Sequence, residues 1–381
     1  MLQRKDSSQH YMKNMIAKVI GYQEVQEIQI ADGVVQSMRA LPDVQAQGWI
    51  SQGGLDIQIN GALGLAFPDI EEKDIDQIKK ICYFLWEQGL DAFLPTIVTT
   101  SPKKIKRALP IIKEVMQWQK DTASPCAQIL GVHLEGPFLN AEKRGAHPGE
   151  FLLPLSIATL KNIVGSYLDI TKVITLAPEL DPRHEVIPYL RENGVIVSLG
   201  HSQSSEEQAK LAFSQGATMV THAYNAMPPL HHRRPGLLAA GMLNPEVYCG
   251  VIADGQHVSP SMIDILLRVS NYDQGVFLVS DALSPLGLTD GIYPWDDRKI
   301  EIKNGTARLA DGLLAGTTLS LLSGVKNLVS WGICGIETAI SLATQSPRRA
   351  MGLPTLQEGS PAHLLYWQQD QGRLNWQRIT D

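Results

Sequence analysis

Short apolar runs that recur along the middle of the chain constrain its fold more than any other feature. Eight such runs lie between residues 49 and 280: Trp49–Ile59, Asp91–Val98, Ile129–Leu134, Lys172–Leu176, Val195–Leu199, Ala217–Thr221, Val247–Ala253 and Gly275–Ser280. Helical stretches separate them, at 71–88, 102–118, 155–164, 184–192, 205–215 and 260–268. Strand-then-helix spacing with eight strands predicts an α/β fold, namely a parallel (β/α)₈ TIM-like barrel. A doubly wound open sheet is the alternative.

Both chain ends have strand character outside this alternation. Residues 16–50 carry a hairpin pattern around Asp32-Gly33, and residues 356–381 return to strand-like sequence. We predict that 16–50 and 356–381 together build a small β-sandwich domain beside a barrel of 51–355. Residues 1–15 are polar and are expected to form a loose extension. The polar segment 285–311 is expected to be a turn-rich insert, with helices following near 319–331 and 337–343.

Charge and cysteine content disfavour several classes of protein. The net charge of −6 does not suit nucleic acid or an anionic membrane, and no apolar run approaches the length of a transmembrane helix. The four cysteines are scattered without a C-x-x-C pair, which argues against disulfides and a thiolate zinc site. We therefore expect a cytoplasmic protein, and a small anionic substrate would have to bind at a local basic cluster.

The stretch 131–149, GVHLEGPFLNAEKRGAHPG, carries the clearest chemical signal. Its apolar run ends at Glu135, Gly136-Pro137 then breaks the strand, and a polar loop carries His147. An acid at the end of a buried strand, followed by a polar loop with a histidine, is typical of a barrel active site. A helix-capping glutamate followed by a solvated basic loop is the alternative interpretation.

Several other predicted strands also end in polar side chains. The whole set comprises Gln58, Asn60, Glu135, His201, His222, Asp254, His257 and Asp281. Two imidazoles and one carboxylate, here His201, His222 and Glu135, are a common catalytic ligand set for Zn²⁺ or Fe²⁺ with a position left for water. Asp281 is then a candidate general base and acid.

Each of these residues also has a plain structural interpretation. A lone histidine at a strand end is commonly a hydrogen-bonded structural residue, and a lone acid can cap a helix. Asp254-Gly255 is also a simple turn pattern, and Gln58 is the weakest candidate. Glu135, His201, His222 and Asp281 end four different predicted strands, and this combination favours an active site.

A basic cluster follows His222 along the chain. His231-His232-Arg233-Arg234 comes directly after YNAMPP. Arginine suits bidentate binding of phosphate, although a solvated basic loop would have the same sequence. Its position one loop beyond His222 favours an anion site.

The motifs GGLDIQINGALG, GVHLEGPFLN, KRGAHP, GHSQS, THAYNAMPPL, RRPG, GVIADGQHV, LVSDA and LAGTTL give the chain a recognisable pattern. Together they resemble the amidohydrolase superfamily and, within it, the family of N-acetylglucosamine-6-phosphate deacetylases. The resemblance extends from about Gly53 to Leu365.

The resemblance implies a role for each matching residue. Glu135, His201 and His222 would bind the metal, Asp281 would be the catalytic acid and base, and His147 beside Ala146 would contact the acetyl group. Asn225 and Ala226 would hold the sugar phosphate. Arg233 (or Arg234) would pair with the same phosphate across a homodimer interface. The residues that would shape the sugar pocket are Asp254, His257, Leu314, Ala315 and Gly316.

Gln58 and Asn60 stand where much of the superfamily has His-x-His. No lysine at a strand end offers a bridging carbamate, so we expect one divalent metal per chain, Zn or Fe. Gln58 and Asn60 are then possible pocket residues.

The function implied is hydrolysis of the N-acetyl group of N-acetylglucosamine 6-phosphate, which gives glucosamine 6-phosphate and acetate. One alternative is another amidohydrolase that acts on N-acyl amino acids or cyclic amides. The other is a catalytically dead barrel that serves as a scaffold.

Overall fold

The structure, a computed structural model, describes residues 13–122 and 124–379. Its strands are β1 (Lys13–Val19), β2 (Val25–Ala31), β3 (Val34–Leu41), β4 (Trp49–Gln52), β5 (Gly54–Ile59), β6 (Gly61–Ala62), β7 (Leu65–Ala66), β8 (Leu90–Val98), β9 (Gln128–Ile129), β10 (Val132–Glu135), β11 (Thr171–Leu176), β12 (Ile196–Leu199), β13 (Ala217–Val220), β14 (Tyr248–Val251), β15 (Val276–Leu278), β16 (Gly291–Trp295), β17 (Arg298–Lys303), β18 (Thr306–Leu309), β19 (Leu314–Thr317), β20 (Leu364–Asp370) and β21 (Arg373–Arg378). Its helices are α1 (Ile75–Glu87), α2 (Pro102–Asp121), α3 (Ile157–Val164), α4 (Val186–Glu192), α5 (Glu206–Gln215), α6 (Gly236–Met242), α7 (Pro260–Val269), α8 (Leu321–Ser330), α9 (Ile336–Ala343) and α10 (Gln345–Ala350).

The predicted barrel is confirmed. Eight parallel strands pair in the order β5-β8-β10-β11-β12-β13-β14-β15, with β9 as a short addition to β8. The ring closes where the chain after β15 meets β5, because the Asp281 amide donates to the Gln58 carbonyl at 2.9 Å and Ala282 forms a parallel bridge with Ile59. The carboxyl ends of all eight strands therefore face one mouth.

The first predicted run, 49–59, proves to be two strands in two different sheets. Gly53 separates β4 from β5. A Cβ atom at Gly53 would lie 2.2 Å from Asp91 Oδ1, and the Gly53 amide donates to Asp91 Oδ2 at 2.7 Å. This close approach requires glycine, and it lets the chain pass from the small sheet into the barrel.

Both chain ends contribute to one six-stranded sheet, in the order β21-β20-β4-β1-β2-β3. The predicted hairpin is present, with β2 and β3 antiparallel and both Asp32 and Gly33 at positive φ. The strands form a single hydrogen-bonded sheet and not the two separate sheets expected of a sandwich. The exact division into 16–50 plus 356–381 and 51–355 stays a prediction.

The first segment of the chain needs a partial correction. Lys13–Met15 belong to β1, although residues 1–15 were expected to be a loose extension. They are ordered because β1 pairs with β2 from Lys13 onward. The remainder of that extension, 1–12, lies outside the described residues.

Most predicted helices are present, with ends shifted by a few residues. Two were missed, α6 and α10. Helix α6 reads GLLAAGM and is buried on nearly every side, so it shows no alternation of apolar and polar faces. Within 13–122 and 124–379, no helix combines the length and apolar character needed to cross a bilayer.

The insert after β15 is more regular than expected. Strands β16 to β19 form a four-stranded antiparallel sheet in chain order. Ile300, Ile302 and Ala307 pack on one face of it against Leu283. We call residues 291–317 the inserted sheet.

Candidate active site

The polar residues predicted at the strand ends meet at the barrel mouth. Glu135 is the last residue of β10, while His201 and His222 follow β12 and β13. Asp281 follows β15. All four line one cavity of about 730 Å³.

The backbone at three of these residues is unusual. The backbone φ angles of His201, His222 and Asp281 are 48°, 27° and 47°. These values are positive, and residues other than glycine seldom adopt positive φ. Such a conformation costs on the order of 1–3 kcal/mol per residue and persists only where surrounding contacts enforce it. The three residues lie just beyond the ends of β12, β13 and β15, where the chain leaves the barrel strands.

Glu135, His201 and His222 bring three ligand atoms together. Glu135 Oε1 lies 3.2 Å from His201 Nε2 and 3.0 Å from His222 Nε2, and the two Nε2 atoms are 3.0 Å apart. All three side chains are at least nine-tenths buried. Ligand atoms of Glu135, His147 and His201 also lie within 4.8 Å of one another.

The hydrogen bonds around this cluster fix the state of one imidazole. His201 Nδ1 is 2.8 Å from the Lys143 carbonyl, which can only accept, so Nδ1 carries the proton and Nε2 presents a lone pair. His222 Nδ1 is buried without a partner among the described residues. Two facing imidazole nitrogens beside a carboxylate oxygen fit a divalent cation better than they fit one another.

Electrostatics in the cluster keep Glu135 charged. Burial by itself would raise the pKa of Glu135, but hydrogen bonds from His201 and His222 hold it well below its ordinary value. Burial tends to lower the pKa of His222, and the contact with Glu135 outweighs that effect and raises it. The cluster therefore consists of the anionic carboxylate of Glu135 beside the imidazoles of His201 and His222.

Asp281 has the opposite tendency. Burial of its carboxyl group, together with the nearby charge of Glu135, raises its pKa to about 7, although part of the residue stays open to the cavity. Asn60 Nδ2 donates to Asp281 Oδ1 at 2.7 Å. A carboxyl group with a pKa near neutrality can both accept and return a proton.

His147 lies beside the ligand cluster, with its ring edge-on to His201 at 4.5 Å between centroids. The Thr99 amide donates to His147 Nδ1 at 3.3 Å, so the proton of the neutral ring is on Nε2. Burial and the neighbouring His201 lower its pKa to about 3. His147 is thus a neutral hydrogen-bond donor.

The structure brings together most of the other predicted pocket residues. Those that line the cavity are Asn60, Ala146, Asn225, Ala226, His257, Leu314 and Ala315. Gln58 lies beneath Glu135 and donates to its Oε1 at 2.9 Å, and Asp254 Oδ2 holds His257 Nδ1 at 2.7 Å. Gly316 lies behind the wall, where a Cβ atom would be 2.8 Å from the Asp281 carbonyl.

Arg233 and Arg234 lie away from this cavity in the single chain. Both are exposed, and neither lines the cavity wall. Their predicted contact with a bound phosphate would therefore require a second subunit.

Sequence reasoning predicted Leu314 and Ala315 of β19 but missed the rest of the wall that the inserted sheet provides. Trp295, Asp296, Asp297 and Arg308 line the cavity, and Arg298 reaches the loop that carries His147. Thr99 was missed as well. Its position after β8, a predicted barrel strand, was the available signal, whereas the insert offered only a polar composition.

Comparison with known proteins gives consistent relatives, although no family model matches the chain. N-acetylglucosamine-6-phosphate deacetylase of Mus musculus is 36% identical over 312 residues, which cover 80% of this chain and 75% of the mouse protein. N-acetylgalactosamine-6-phosphate deacetylase of Escherichia coli O157:H7 is 32% identical over 337 residues, 87% of each chain.

Solved structures with the same architecture include two deacetylases. N-acetylglucosamine-6-phosphate deacetylase of Thermotoga maritima superposes with a TM-score of 0.81 at 29% identity, over 93% of this chain and 95% of its own. A mutant of the Mycobacterium smegmatis enzyme, in complex with N-acetyl-D-glucosamine-6-phosphate, superposes with a TM-score of 0.82 at 25% identity, over 95% of this chain and 97% of its own.

Proposed function

Because the chain belongs to the N-acetylglucosamine-6-phosphate deacetylase family of metal-dependent amidohydrolases, we propose that it hydrolyses the N-acetyl group of N-acetylglucosamine 6-phosphate. The products are glucosamine 6-phosphate and acetate. The observation that carries the proposal is the approach of Glu135 Oε1, His201 Nε2 and His222 Nε2 to within 3.2 Å of one another beside Asp281.

Glu135, His201 and His222 are the proposed metal ligands. A divalent metal bound there, Zn or Fe, would act as a Lewis acid that lowers the pKa of a water molecule and polarises the acetyl carbonyl. Gln58 Nε2 and the Lys143 carbonyl fix the orientations of Glu135 and His201 respectively. Glu135 and His201 are therefore held in place by their outer partners, whereas His222 Nδ1 has none among the described residues.

Asp281 is the proposed carrier of the proton. In its ionised form it takes a proton from the attacking water, and it then delivers that proton to the amine of the sugar as the C–N bond breaks. Asn60 holds Oδ1 at 2.7 Å, so the carboxyl group keeps one orientation through both steps.

His147 is proposed to bind the acetyl carbonyl. Its Nε2–H faces no acceptor that the described residues show, and its neutral state follows from a pKa of about 3. A donor fixed before the substrate arrives stabilises the charge that develops on the carbonyl oxygen. Thr99 and Arg144 hold His147 from both sides, because Arg144 Nη1 donates to the His147 carbonyl at 2.7 Å.

The phosphate end of the substrate would lie near Asn225 and Ala226. Both residues line the cavity, on the turn that follows His222. We propose that Arg233 of the partner subunit in a homodimer completes this end, with Arg234 as the alternative. Binding energy at the phosphate then orients the amide at the opposite end of the pocket.

The galacto epimer is a second candidate substrate, because the Escherichia coli relative is named for it. Its hydroxyl at the differing carbon would meet the sugar pocket that includes His257 and Ala315. We also propose that the protein works in the cytoplasm, since all four cysteines are free thiols.

Acetate release by purified protein tests the proposal. N-acetylglucosamine 6-phosphate, its galacto epimer and the unphosphorylated sugar are compared on one sample whose metal content is measured. Turnover of a phosphorylated sugar, lost on chelation and restored by Zn²⁺ or Fe²⁺, supports the proposal. Metal-replete protein without turnover would favour other acylated substrates, and protein that neither turns over nor binds metal would favour a scaffold.

A further inference from the structure

We propose that Arg298, on the inserted sheet, is a positioning residue for the deacetylation reaction because it fixes the peptide that carries His147. The catalytic consequence rests on the proposed function, whereas the contacts of Arg298 do not depend on it.

Arg298 reaches from β17 to the active-site loop. Its Nη2 donates to the Ala146 carbonyl at 2.8 Å, across 152 residues of sequence. That carbonyl belongs to the peptide bond whose nitrogen is the amide of His147. A hydrogen bond at this point limits rotation of the peptide and hence the direction of the imidazole.

Arg298 is itself held in one orientation. Its Nε lies 3.0 Å from Asp296 Oδ1 and its Nη2 lies 2.5 Å from Asp296 Oδ2. The guanidinium also stacks on Trp295, 4.6 Å from the ring centroid. A half-buried arginine with these partners has few alternative rotamers, so its guanidinium stays in one position.

His147 is also held by Arg144 of its own loop and by Thr99, which follows β8. Arg144 binds the His147 carbonyl and Thr99 binds its Nδ1, as described above. Arg298 binds the Ala146 carbonyl, to which no other described residue donates a hydrogen bond. Together with the hydrogen bond that the His147 amide donates to the Arg144 carbonyl at 3.1 Å, these contacts set both backbone and ring of His147.

The inserted sheet also touches the proton carrier. Thr317, at the end of β19, donates from its amide to the Asp281 carbonyl at 3.2 Å and from Oγ1 to the Ser280 carbonyl at 2.8 Å. One small sheet therefore contacts the chain at Asp281 and, through Arg298, the chain at His147. The position of the inserted sheet therefore affects the placement of both Asp281 and His147.

Loss of Arg298 should harm turnover more than binding. Arg298 makes no side-chain hydrogen bond to the ligand cluster or to the turn at Asn225, whereas a misplaced His147 would stabilise the reacting carbonyl poorly. A displacement of about 1 Å at a catalytic group can cost ~100-fold in rate, so we expect Arg298→Gln to lower kcat by ~10- to 100-fold. KM should change by less than about threefold, since binding at the other end persists.

The experiment compares Arg298→Gln with Lys299→Gln and Arg298→Lys. Lys299 is exposed on the same strand and serves as the matched control. Lysine can donate to the Ala146 carbonyl but cannot also form the forked pair with Asp296, so Arg298→Lys should recover part of kcat. Metal content and melting temperature are measured on each protein, and amide hydrogen exchange is followed over 141–148.

The expected result is a lower kcat and faster exchange over 141–148 in Arg298→Gln, with metal content and melting temperature as in the wild type. In a His147→Asn background, Arg298→Gln should cost much less than in the wild type, because both changes remove one interaction.

Three outcomes would overturn the inference: an unchanged kcat, a full additive loss in the His147→Asn background, or a loss that follows metal content or melting temperature. If the wild type does not turn over the sugar phosphates, the proposed function fails. Hydrogen exchange then decides alone whether Arg298 fixes the loop.

Discussion

Asn60 donates a 2.7 Å hydrogen bond to Asp281 across the seam where the barrel closes. The two residues lie 221 positions apart in the chain, one after the first barrel strand and the other after the last. Asn60 lines the cavity with Asp281, while Gln58, within β5, binds Glu135. Two residues that the sequence suggested only as possible pocket residues thus orient the carboxyl groups of Glu135 and Asp281, the proposed ligand and the proposed proton carrier.

Replacing Asp281 with asparagine should remove the proton carrier and leave the metal ligands intact. We expect Asp281→Asn to lower kcat by ~10²- to 10⁴-fold, the usual contribution of a general acid or base. Metal content should stay at the wild-type level. Acetate release and metal content measured on one sample check this, with the exposed Asp43→Asn as control. Near-normal turnover of Asp281→Asn would refute the role.

The hydrogen bond from Asn60 should be visible in the pH dependence of the reaction. It stabilises the ionised carboxylate and so opposes the rise in the pKa of Asp281 that burial and Glu135 cause. Asn60→Ala should therefore raise this pKa further. Since the ionised form accepts the proton from water, kcat/KM should rise with pH, and this rise should move to higher pH in the variant.

A pH profile of kcat/KM for Asn60→Ala and wild type provides the measurement. Asn375→Ala, on an exposed position of β21, is the control. A shift to lower pH, or the same shift in the control, would contradict the assignment.

The role proposed for Arg233 predicts complementation between two defective subunits. Arg233→Ala should raise KM for the phosphorylated sugar, and Asp281→Asn should abolish turnover. In a mixed dimer, the subunit with intact Asp281 receives Arg233 of the partner subunit. After subunit exchange in an equal mixture, and at a substrate concentration well below the KM of Arg233→Ala, ~25% of wild-type activity should appear, since half the dimers are mixed and each has one complete site of two.

The same mixture tests where the arginine acts. If Arg233 served its own subunit, no mixed dimer would contain a complete site and no activity would return. Arg234→Ala in place of Arg233→Ala decides between the two neighbouring arginines.

Asp56 should make the protein less stable as the pH rises. It is buried beneath the site, its Oδ2 has no partner among the described residues, and burial raises its pKa to about 7. Its ordinary value is 3.8, so from about pH 4 to pH 7 the folded state holds a proton that the unfolded state has lost. The free energy of unfolding therefore falls over this window, by at most roughly 4 kcal/mol.

Asp56→Asn should remove this dependence. Between pH 5 and pH 8 the free energy of unfolding of the variant should increase relative to that of the wild type. Denaturant unfolding at both pH values measures it, with Asp43→Asn as control. A difference that is constant with pH would mean that Asp56 does not carry the assigned proton.

Local patterns in the sequence were sufficient to predict the strands of the barrel. All eight strands were predicted, because a buried parallel strand is a continuous apolar run and each is followed by an amphipathic helix or a turn. The Asp32-Gly33 turn was predicted for a similar local reason, since both residues tolerate positive φ. Helix α6 and the inserted sheet were missed because the first is buried on nearly every side and the second has short strands in polar sequence.

The sequence by itself thus determined the fold class and the residue types at the strand ends. Tertiary structure alone decided how these residues relate: His201 and His222 come 66 and 87 residues after Glu135, yet their nitrogens reach the same oxygen. The contact of Arg298 with Ala146 and the division of 49–59 at Gly53 also arise from pairing between distant segments. Local sequence sets the propensity of each strand and turn, but strand register and barrel closure set these distances, and both depend on the whole chain.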